Sequence, residues 1–211
     1  MLIVFDSVTL PVTVRTRVEK DNGVAFYIPE MIGHWNPYVE RKINWHMYEA
    51  IRKLSERQYE EQDTDRFSEM ISTYEIKTNE RNIFSVTFTN YAYADGFAHG
   101  LTIMDSLTFN VETGRQYKLG DLFKQGVDYE AHLTKLVQKQ VREREVPVFE
   151  EVPVTVAKDQ GFYIADQVLV LYYQLYEITP YYYGLPTFPI PAYQLTELLD
   201  EEGPLGRMLS T

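Results

Sequence analysis

Cysteine is absent from the 211 residues of this sequence. Its absence excludes disulfide bonds, thiolate zinc sites and cysteine nucleophiles together, because each of these requires a thiol. A chain without cysteine suits a reducing cytosol and equally the outer face of a bacterial envelope, so this observation leaves the compartment open.

Basic residues are few: the sequence contains 20 Lys and Arg but 31 Asp and Glu, which gives a formal net charge of −11. No local stripe of basic residues offsets this charge. An acidic surface repels phosphate backbones, so the composition argues against nucleic acid as a partner. The same field would steer a cationic protein toward the chain.

Long apolar runs are missing as well. The N-terminus reads MLIVFDSVTL, in which four apolar residues after Met1 are followed by Asp6. A secretory signal requires a basic start and a longer apolar core, and a membrane span requires about 20 apolar residues. We therefore expect no membrane span, and either a cytosolic protein or an ectodomain separated from its membrane anchor.

The sequence also lacks the short motifs of common catalytic sites. It contains no G-x-S-x-G, no glycine-rich nucleotide-binding loop and no H-E-x-x-H. Ser7, Ser85 and Ser106 lie in strand-like alternation instead of a nucleophile turn. The prediction is a protein that is not an enzyme and that uses no cofactor or metal.

What the sequence does contain is an ordinary globular balance, with 45% hydrophobic residues and a high aromatic content of 17 Tyr and 11 Phe. Alternating residues predict strands at 12–18 and 23–31, the second ending near Pro29. Asn36 is a candidate N-cap for a long helix over 37–60, with proline at its first position. Apolar residues repeat at helical spacing on one face of that helix: Val39, Ile43, Met47, Ile51 and Leu54.

The middle of the chain predicts a hairpin followed by a second helix. Apolar residues alternate in two runs on either side of the hairpin connection: Phe84, Val86 and Phe88, then Ile103, Leu107, Phe109 and Val111. An amphipathic pattern predicts a helix over 127–145, and Asp121 is a candidate N-cap for a short turn before it.

Toward the C-terminus, residues 161–178 predict two short strands with a tight turn at Ala165 and Asp166. The proline-rich stretch 179–193 is expected to be irregular, and residues 193–202 are expected to form a last helix. Strands joined by hairpins, together with two long helices, predict an α+β fold with an antiparallel β-sheet packed against two main α-helices.

The stretch YADGFAHGLTIMDS, residues 93–106, places His99 between two glycines. One hypothesis makes this imidazole a general base or metal ligand, with Asp95 or Asp105 as its partner, in a hydrolase that acts on cell-wall material. The other makes it a residue that shapes the hairpin through hydrogen bonds. A lone histidine between glycines matches no metal-ligand spacing, which favours the second hypothesis.

The strongest candidate for a binding surface is YEITPYYYGLPTFPIPAY, residues 176–193. Its prolines stiffen the chain at low entropic cost, and rigid aromatic side chains are what recognition surfaces use for sugars and for proteins. The alternative is a rigid segment that covers the edge of the sheet with its rings. The candidate binding residues are Tyr181, Tyr182, Tyr183, Phe188 and Tyr193, joined by His99 and Asp95 of the hairpin connection.

Several stretches resemble a bacterial domain of unknown function that is found outside the membrane. They are YADGFAHGLTIMDSLTFNVETGRQYKLGDLF, then DYEAHLTKL, then FYIADQVLVLYYQLYEITPYYYGLPTFPIP. The domain occurs in lysozyme-sensing anti-sigma factors of the RsiV type and ahead of the catalytic domain in peptidoglycan deacetylases of the PdaC type. GFAHG is similar to the family's G-x-A-H-G turn, and the resemblance covers most of the chain.

The resemblance divides the chain in two. Residues 1–78, with VTVRTRVEKDNGVAFYIPEM and INWHMYEAIRKL, resemble the N-terminal module of the deacetylases, and residues 79–211 resemble the module of the anti-sigma factors. It implies an α+β fold and a non-catalytic role in binding or sensing at the cell envelope, because the chemistry of the deacetylases belongs to a separate domain. The implied partner is a cationic protein such as lysozyme or a cell-wall glycan, and the implied location is extracytoplasmic.

Overall fold

A computed structural model describes residues 10–209, which form two sheets and three α-helices. The large sheet has its strands in chain order: β1 (Thr13–Asp21), β2 (Val24–Ile32), β3 (Glu69–Glu80), β4 (Ile83–Tyr93), β5 (Leu101–Asn110) and β6 (Arg115–Gln116). The small sheet consists of β7 (Phe162–Ala165), β8 (Val168–Tyr172) and β9 (Thr187–Pro191). The helices are α1 (Pro37–Glu61), α2 (Tyr129–Glu143) and α3 (Pro204–Leu209). The predicted α+β class is confirmed.

Helix α1 covers one face of the large sheet and agrees with the helix predicted over 37–60. Asn36 caps it, because its side-chain oxygen accepts a hydrogen bond of 3.0 Å from the Tyr38 amide. The buried residues of α1 are Val39, Ile43, Met47, Ala50, Ile51, Leu54 and Gln58. The apolar residues among them pack in one core with the alternating apolar residues of β4 and β5. Side chains three or four residues apart on the helix therefore contact side chains two residues apart on the strands.

One pair of strands in the large sheet departs from the hairpin pattern. Strands β2 and β3 are parallel over 24–26 and 70–72, because α1 connects them as a crossover. Beyond this short pairing, Asn44 of α1 holds β2: its side-chain amide accepts from the Met31 amide at 2.7 Å and donates to the Met31 carbonyl at 2.9 Å. Strand β2 continues past Pro29, where the sequence pattern predicted its end, because it pairs with β1 as far as Ile32.

The small sheet joins the large sheet through hydroxyl groups. Its edge strand β7 presents the backbone of Ile164, which needs one acceptor and one donor. Ser85 Oγ of β4 accepts from the Ile164 amide at 3.0 Å, and Thr78 Oγ1 of β3 donates to the Ile164 carbonyl at 2.9 Å. Thr78 also accepts from the Asp166 amide at 2.8 Å. A β-bulge directly precedes Thr78 and changes which side chains of β3 face β7.

A second core lies between α2 and the small sheet. Helix α2 agrees with the helix predicted over 127–145, and the Asp128 carboxylate caps it by accepting from the Ala131 amide at 3.0 Å. Leu133 and Val137 of α2 are fully buried in this core.

The division of the chain after residue 78, which lies within β3, stays a prediction. None of the helices within residues 10–209 has both the length and the apolar character needed to span a bilayer.

The proline-rich stretch is more regular than predicted. Strand β9 runs through Pro189 and Pro191 at the edge of the small sheet, where β8 is its one partner among the described strands. Phe188 and Ile190 alternate with these prolines and take the hydrogen-bonding positions of the ladder, so the missing proline N–H groups cost no hydrogen bond.

Two further expectations are wrong. No α-helix forms over 193–202: a 3₁₀ turn, Ala192–Gln194, overlaps the start of this range, and farther along the Asp200 amide donates to the Leu122 carbonyl at 3.0 Å. Asp121 does not cap a turn that starts at its own position, since it lies inside the 3₁₀ helix Leu119–Leu122. Its carboxylate reaches back to accept from the Lys118 amide at 2.8 Å.

We predict that Thr78→Val weakens the junction between the two sheets. Valine has the same shape but leaves the Ile164 carbonyl and the Asp166 amide without partners, so we expect a loss of about 1–3 kcal/mol in the free energy of unfolding. Urea unfolding measures this loss. The matched control is Thr73→Val in the same strand, because the exposed Thr73 hydroxyl has a side-chain hydroxyl as its partner, that of Thr89 at 2.9 Å. Equal losses in the two variants would contradict the role of the hydroxyl junction.

Candidate functional site

The connection between β4 and β5 brings His99 against the C-terminal tyrosines. Its imidazole stacks on Tyr181, with ring centroids 3.9 Å apart and an interplanar angle of 19°. Nδ1 lies 3.0 Å from the Gly100 carbonyl oxygen, and Nε2 lies 3.2 Å from the Tyr176 hydroxyl. Because a carbonyl only accepts, we assign the proton of the neutral ring to Nδ1, and Nε2 then accepts from Tyr176.

Gly100 lies at the centre of this arrangement. Its carbonyl also accepts a hydrogen bond of 3.0 Å from the Tyr181 hydroxyl. A Cβ at this position would lie 2.4 Å from the ring of Tyr91, so the packing of that ring requires glycine. These contacts favour the hypothesis that His99 shapes the hairpin, and they show that it also fastens the hairpin to the C-terminal part of the chain.

A cleft of about 350 Å³ opens beside His99. Its walls come from the last turn of α1, from the first residues of β5 and from the loop after β8. Two of its rings are well exposed, Phe97 at 43% and Tyr176 at 49%. We call this site the aromatic cleft, and the residues that define it are Arg57, Glu61, Asp63, Phe97, His99 and Tyr176.

The end of α1 makes the aromatic cleft acidic. The last turn of the helix contains no basic residue, although a cation there would offset the partial negative charge of the free carbonyl groups. Glu61 pairs with Arg57 at 3.2 Å. Asp63 is exposed and makes no ion pair within residues 10–209. A free carboxylate, a helix C-terminus and two exposed rings therefore meet at one opening.

A side-chain amide hydrogen-bonds to the edge of β5 next to the aromatic cleft. Strand β6 pairs with β5 at Phe109 and Asn110, so among the strands that the structure describes none pairs with the outer backbone groups of Met104. Gln174 replaces that partner: Oε1 accepts from the Met104 amide at 3.0 Å, and Nε2 donates to the Met104 carbonyl at 2.8 Å. This pair of bonds holds the loop that carries Tyr176 against β5.

A second cavity of about 570 Å³ lies farther along β5, and Asp105, Ser106 and Tyr172 line it. The Asp105 carboxylate accepts from the Ser106 amide at 2.7 Å, and Ser106 Oγ lies 3.1 Å from the Tyr172 hydroxyl. Burial raises the pKa of the Asp105 carboxyl, against the opposing effect of the Ser106 hydrogen bond and of Arg57. Burial also raises the pKa of the Tyr172 phenol.

The arrangement required by the hydrolase hypothesis is not formed. The two nitrogens of His99 contact Gly100 and Tyr176, while the Asp105 carboxylate is bonded to the backbone of its neighbour. Asp95 is exposed, and its side chain makes no hydrogen bond to another residue within the described range 10–209. Within residues 10–209, no cluster of three or more His, Asp or Glu side chains could hold a metal ion. That the protein is not an enzyme stays a prediction.

The predicted aromatic surface divides into different environments. Tyr181 is half-buried under His99, and Tyr183 packs against the second core. Tyr182 and Tyr193 are 77% and 69% exposed. Phe188 has no exposed surface, because alternate residues of β9 point into the core, so the structure does not support its assignment to an accessible surface.

Sequence reasoning missed most of the residues that define the aromatic cleft. Phe97 and Tyr176 lay within the stretches already singled out, but nothing local marks them as exposed. Glu61 is the last residue of a helix whose last turn lacks basic residues, Asp63 follows that helix, and this local signal was available. Their meeting with the hairpin connection depends on how α1 packs on the sheet.

Two family models match parts of the chain. Residues 19–102 match the model described as Deacetylase PdaC, and residues 120–193 match the model described as Protein of unknown function (DUF3298). No curated protein matches the sequence.

Solved structures of the DUF3298 family resemble this chain in fold. A family member from Bacteroides fragilis NCTC 9343 superposes with a TM-score of 0.74 at 15% identity, covering 96% of this chain and 99% of that one. A DUF3298 family protein from Pseudomonas aeruginosa PAO1 gives a TM-score of 0.65 at 14% identity, covering 91% and 95%. These identities show a shared fold only. With the family models, they support the predicted domain of unknown function family.

We predict that Asp105→Asn stabilises the protein at neutral and alkaline pH. A carboxyl whose pKa is raised by folding contributes its full stability below the unfolded pKa and loses it as the pH rises through the folded pKa. Asparagine does not ionise, and its oxygen still accepts from the Ser106 amide. The variant should therefore be more stable than the wild type at about pH 8, and this advantage should disappear toward about pH 4.

Denaturant unfolding at a series of pH values checks this expectation. Asp95→Asn is the matched control for the loss of one negative charge in the same hairpin, because Asp95 is exposed. A stability difference between Asp105→Asn and wild type that is the same at both ends of the pH range would show that burial of the Asp105 charge is not its cause.

Proposed function

We propose that this chain is a non-catalytic binding module of the cell envelope, and that its aromatic cleft captures a cationic protein of the lysozyme type. The observation that carries this proposal is the combination at one opening of two exposed rings, Phe97 and Tyr176, with the free carboxylate of Asp63 at the C-terminal end of α1.

A lysine or arginine side chain of the partner fits this combination. The positive charge is attracted by the faces of the rings, by the Asp63 carboxylate and by the negative end of the helix dipole. A volume of about 350 Å³ is at the lower end of small-molecule pockets, so the aromatic cleft suits one inserted side chain or loop tip. The surrounding surface of the partner would then supply the rest of the interface.

The charge of the whole chain supports a cationic partner. A net charge of −11 attracts a positively charged protein over a distance of about one Debye length and raises the association rate. A neutral glycan gains nothing from this field. Between the two partners implied by the sequence, the acidic aromatic cleft therefore favours the protein.

The comparisons support the envelope setting. One model that matches the chain carries the name of a deacetylase, and the peptidoglycan deacetylases are one of the two groups that the sequence resembles. The resemblance to the extracytoplasmic part of RsiV-type anti-sigma factors supports lysozyme as the partner and an extracytoplasmic location. Both the partner and the location are part of this proposal.

We predict that Asp63→Asn weakens the binding of a cationic lysozyme by about three- to tenfold at low salt. Asp63 has a positive φ of 44°, which asparagine also tolerates, so the substitution removes the charge without straining the backbone. Isothermal titration calorimetry at about 50 mM and about 300 mM NaCl measures the affinity, and the effect should shrink at the higher salt because of screening.

The matched control is Glu150→Gln, which removes one negative charge from an exposed position outside the aromatic cleft. A second variant, Tyr176→Ala, should weaken binding at both salt concentrations, because the loss of ring contact is not screened. Equal affinities of Asp63→Asn and Glu150→Gln, or binding to lysozyme that is insensitive to salt, would refute capture of a cationic group in the aromatic cleft.

A further inference from the structure

The solvent face of α1 carries aromatic rings that are separate from the aromatic cleft. Four of them are exposed to 66%, 59%, 41% and 42%, in the order Tyr38, Trp45, Tyr48 and Tyr59. At about 100° per residue, these positions fall within about 80° of one another around the helix axis, so they lie on one side of the helix. We call this set of four rings the aromatic row.

The aromatic row has no role in either core. The buried residues of α1 are a different set, and none of the four rings packs into a hydrophobic cluster within residues 10–209. The sequence contains two tryptophans, Trp35 and Trp45, and they are 76% and 59% exposed. Tryptophan is largely buried in most proteins, and clustered exposed rings mark recognition surfaces.

A groove of about 550 Å³ runs between Trp45, Tyr48 and the hairpin of β1 and β2. The Arg17 guanidinium lies 5.6 Å from the centroid of the Tyr48 ring and 3.4 Å from Glu30. Arg17 also pairs with Glu19 at 3.3 Å. These pairs fix planar donors and acceptors beside the rings.

The charges of this groove balance one another. Its charged lining residues are two arginines and two glutamates: Arg17, Arg41, Glu19 and Glu30. This local neutrality contrasts with the net charge of −11 of the whole chain. A cationic partner therefore finds no excess of carboxylates at the groove, whereas a neutral, hydroxyl-rich ligand finds rings and paired polar groups.

We infer that the aromatic row and its groove bind a neutral, extended β-linked glycan. Sugar rings in such a chain present flat C–H faces that stack on aromatic rings, and their hydroxyl groups hydrogen-bond to planar carboxylate and guanidinium groups. Tyr38 and Trp45 are seven residues apart, which places them about 10.5 Å apart along the helix axis. A short oligosaccharide spans that distance, and because Tyr38 and Trp45 lie only about 20° apart around the helix axis, these two rings favour an extended chain over a curved one.

The two tryptophans provide a built-in reporter for this binding. Titration with fully N-acetylated chitotetraose, an uncharged β-1,4-linked tetrasaccharide, should produce a saturable change in tryptophan fluorescence. Trp35→Phe leaves Trp45 as the single reporter and should retain that change. Maltotetraose, which is α-linked and curved, should bind at least about tenfold more weakly.

Truncation of single rings in the aromatic row should weaken the binding of chitotetraose. We expect Trp45→Ala and Tyr38→Ala each to weaken chitotetraose binding by about five- to tenfold, measured by calorimetry because the first variant loses a reporter. Tyr193→Ala, which truncates a ring that is 69% exposed elsewhere, is the matched control and should bind as the wild type does. Circular dichroism confirms that each variant is folded.

Three outcomes would overturn the inference. They are the absence of saturable chitotetraose binding at millimolar concentration, equal affinities of folded Trp45→Ala and wild type, and a dimer in sedimentation that Trp45→Ala dissociates. The last result would assign the aromatic row to a second copy of the chain. Asp63→Asn should leave chitotetraose binding unchanged, so a failure of the lysozyme proposal and a failure of the glycan proposal are distinguishable.

Discussion

The hydrogen bonds between the hydroxyl groups of the large sheet and the backbone edge of β7 are the constraint on which the rest of the structure depends. Ser85 and Thr78 supply the acceptor and the donor that Ile164 would otherwise find in another strand. Because these backbone groups of the edge strand are already hydrogen-bonded, the strand is also blocked from pairing with another chain. The junction fixes the small sheet on the large one, and the loop after β8 then reaches Gly100 and His99.

Side-chain amides likewise hydrogen-bond to backbone groups at the ends and edges of strands that have no neighbouring strand. Asn44 pairs with Met31, Gln174 pairs with Met104, and Asn79 pairs with Val12 through bonds of 3.0 Å and 2.8 Å. A primary amide carries one donor side and one acceptor, so it replaces a peptide unit of a missing neighbouring strand. Two of these amide side chains also lie at the proposed sites: Asn44 lines the groove beside the aromatic row, and Gln174 lines the aromatic cleft.

The two proposed sites differ in charge for a structural reason. The aromatic cleft lies at the C-terminal end of α1, where Arg57 balances Glu61 but the negative end of the helix dipole and the Asp63 carboxylate have the same sign. The groove lies beside the middle of the same helix, where Arg17 and Glu30 cancel each other. One helix therefore presents an acidic aromatic surface at its end and a neutral aromatic surface along its side, which suits ligands of different chemistry.

The sequence by itself determined the elements whose signal is local. The period of Val39, Ile43 and Met47 and the cap at Asn36 predicted α1, and the alternation around Phe84 and Val86 predicted β4, because burial on one face leaves a regular pattern in the chain. Only the tertiary structure decided that β9 forms through its prolines, that Phe188 is buried, and that positions 63, 97 and 176 meet in one cleft. Those outcomes depend on which strand or helix supplies the missing hydrogen bond or covers a ring, and contacts between residues far apart in the chain leave no periodic trace in it.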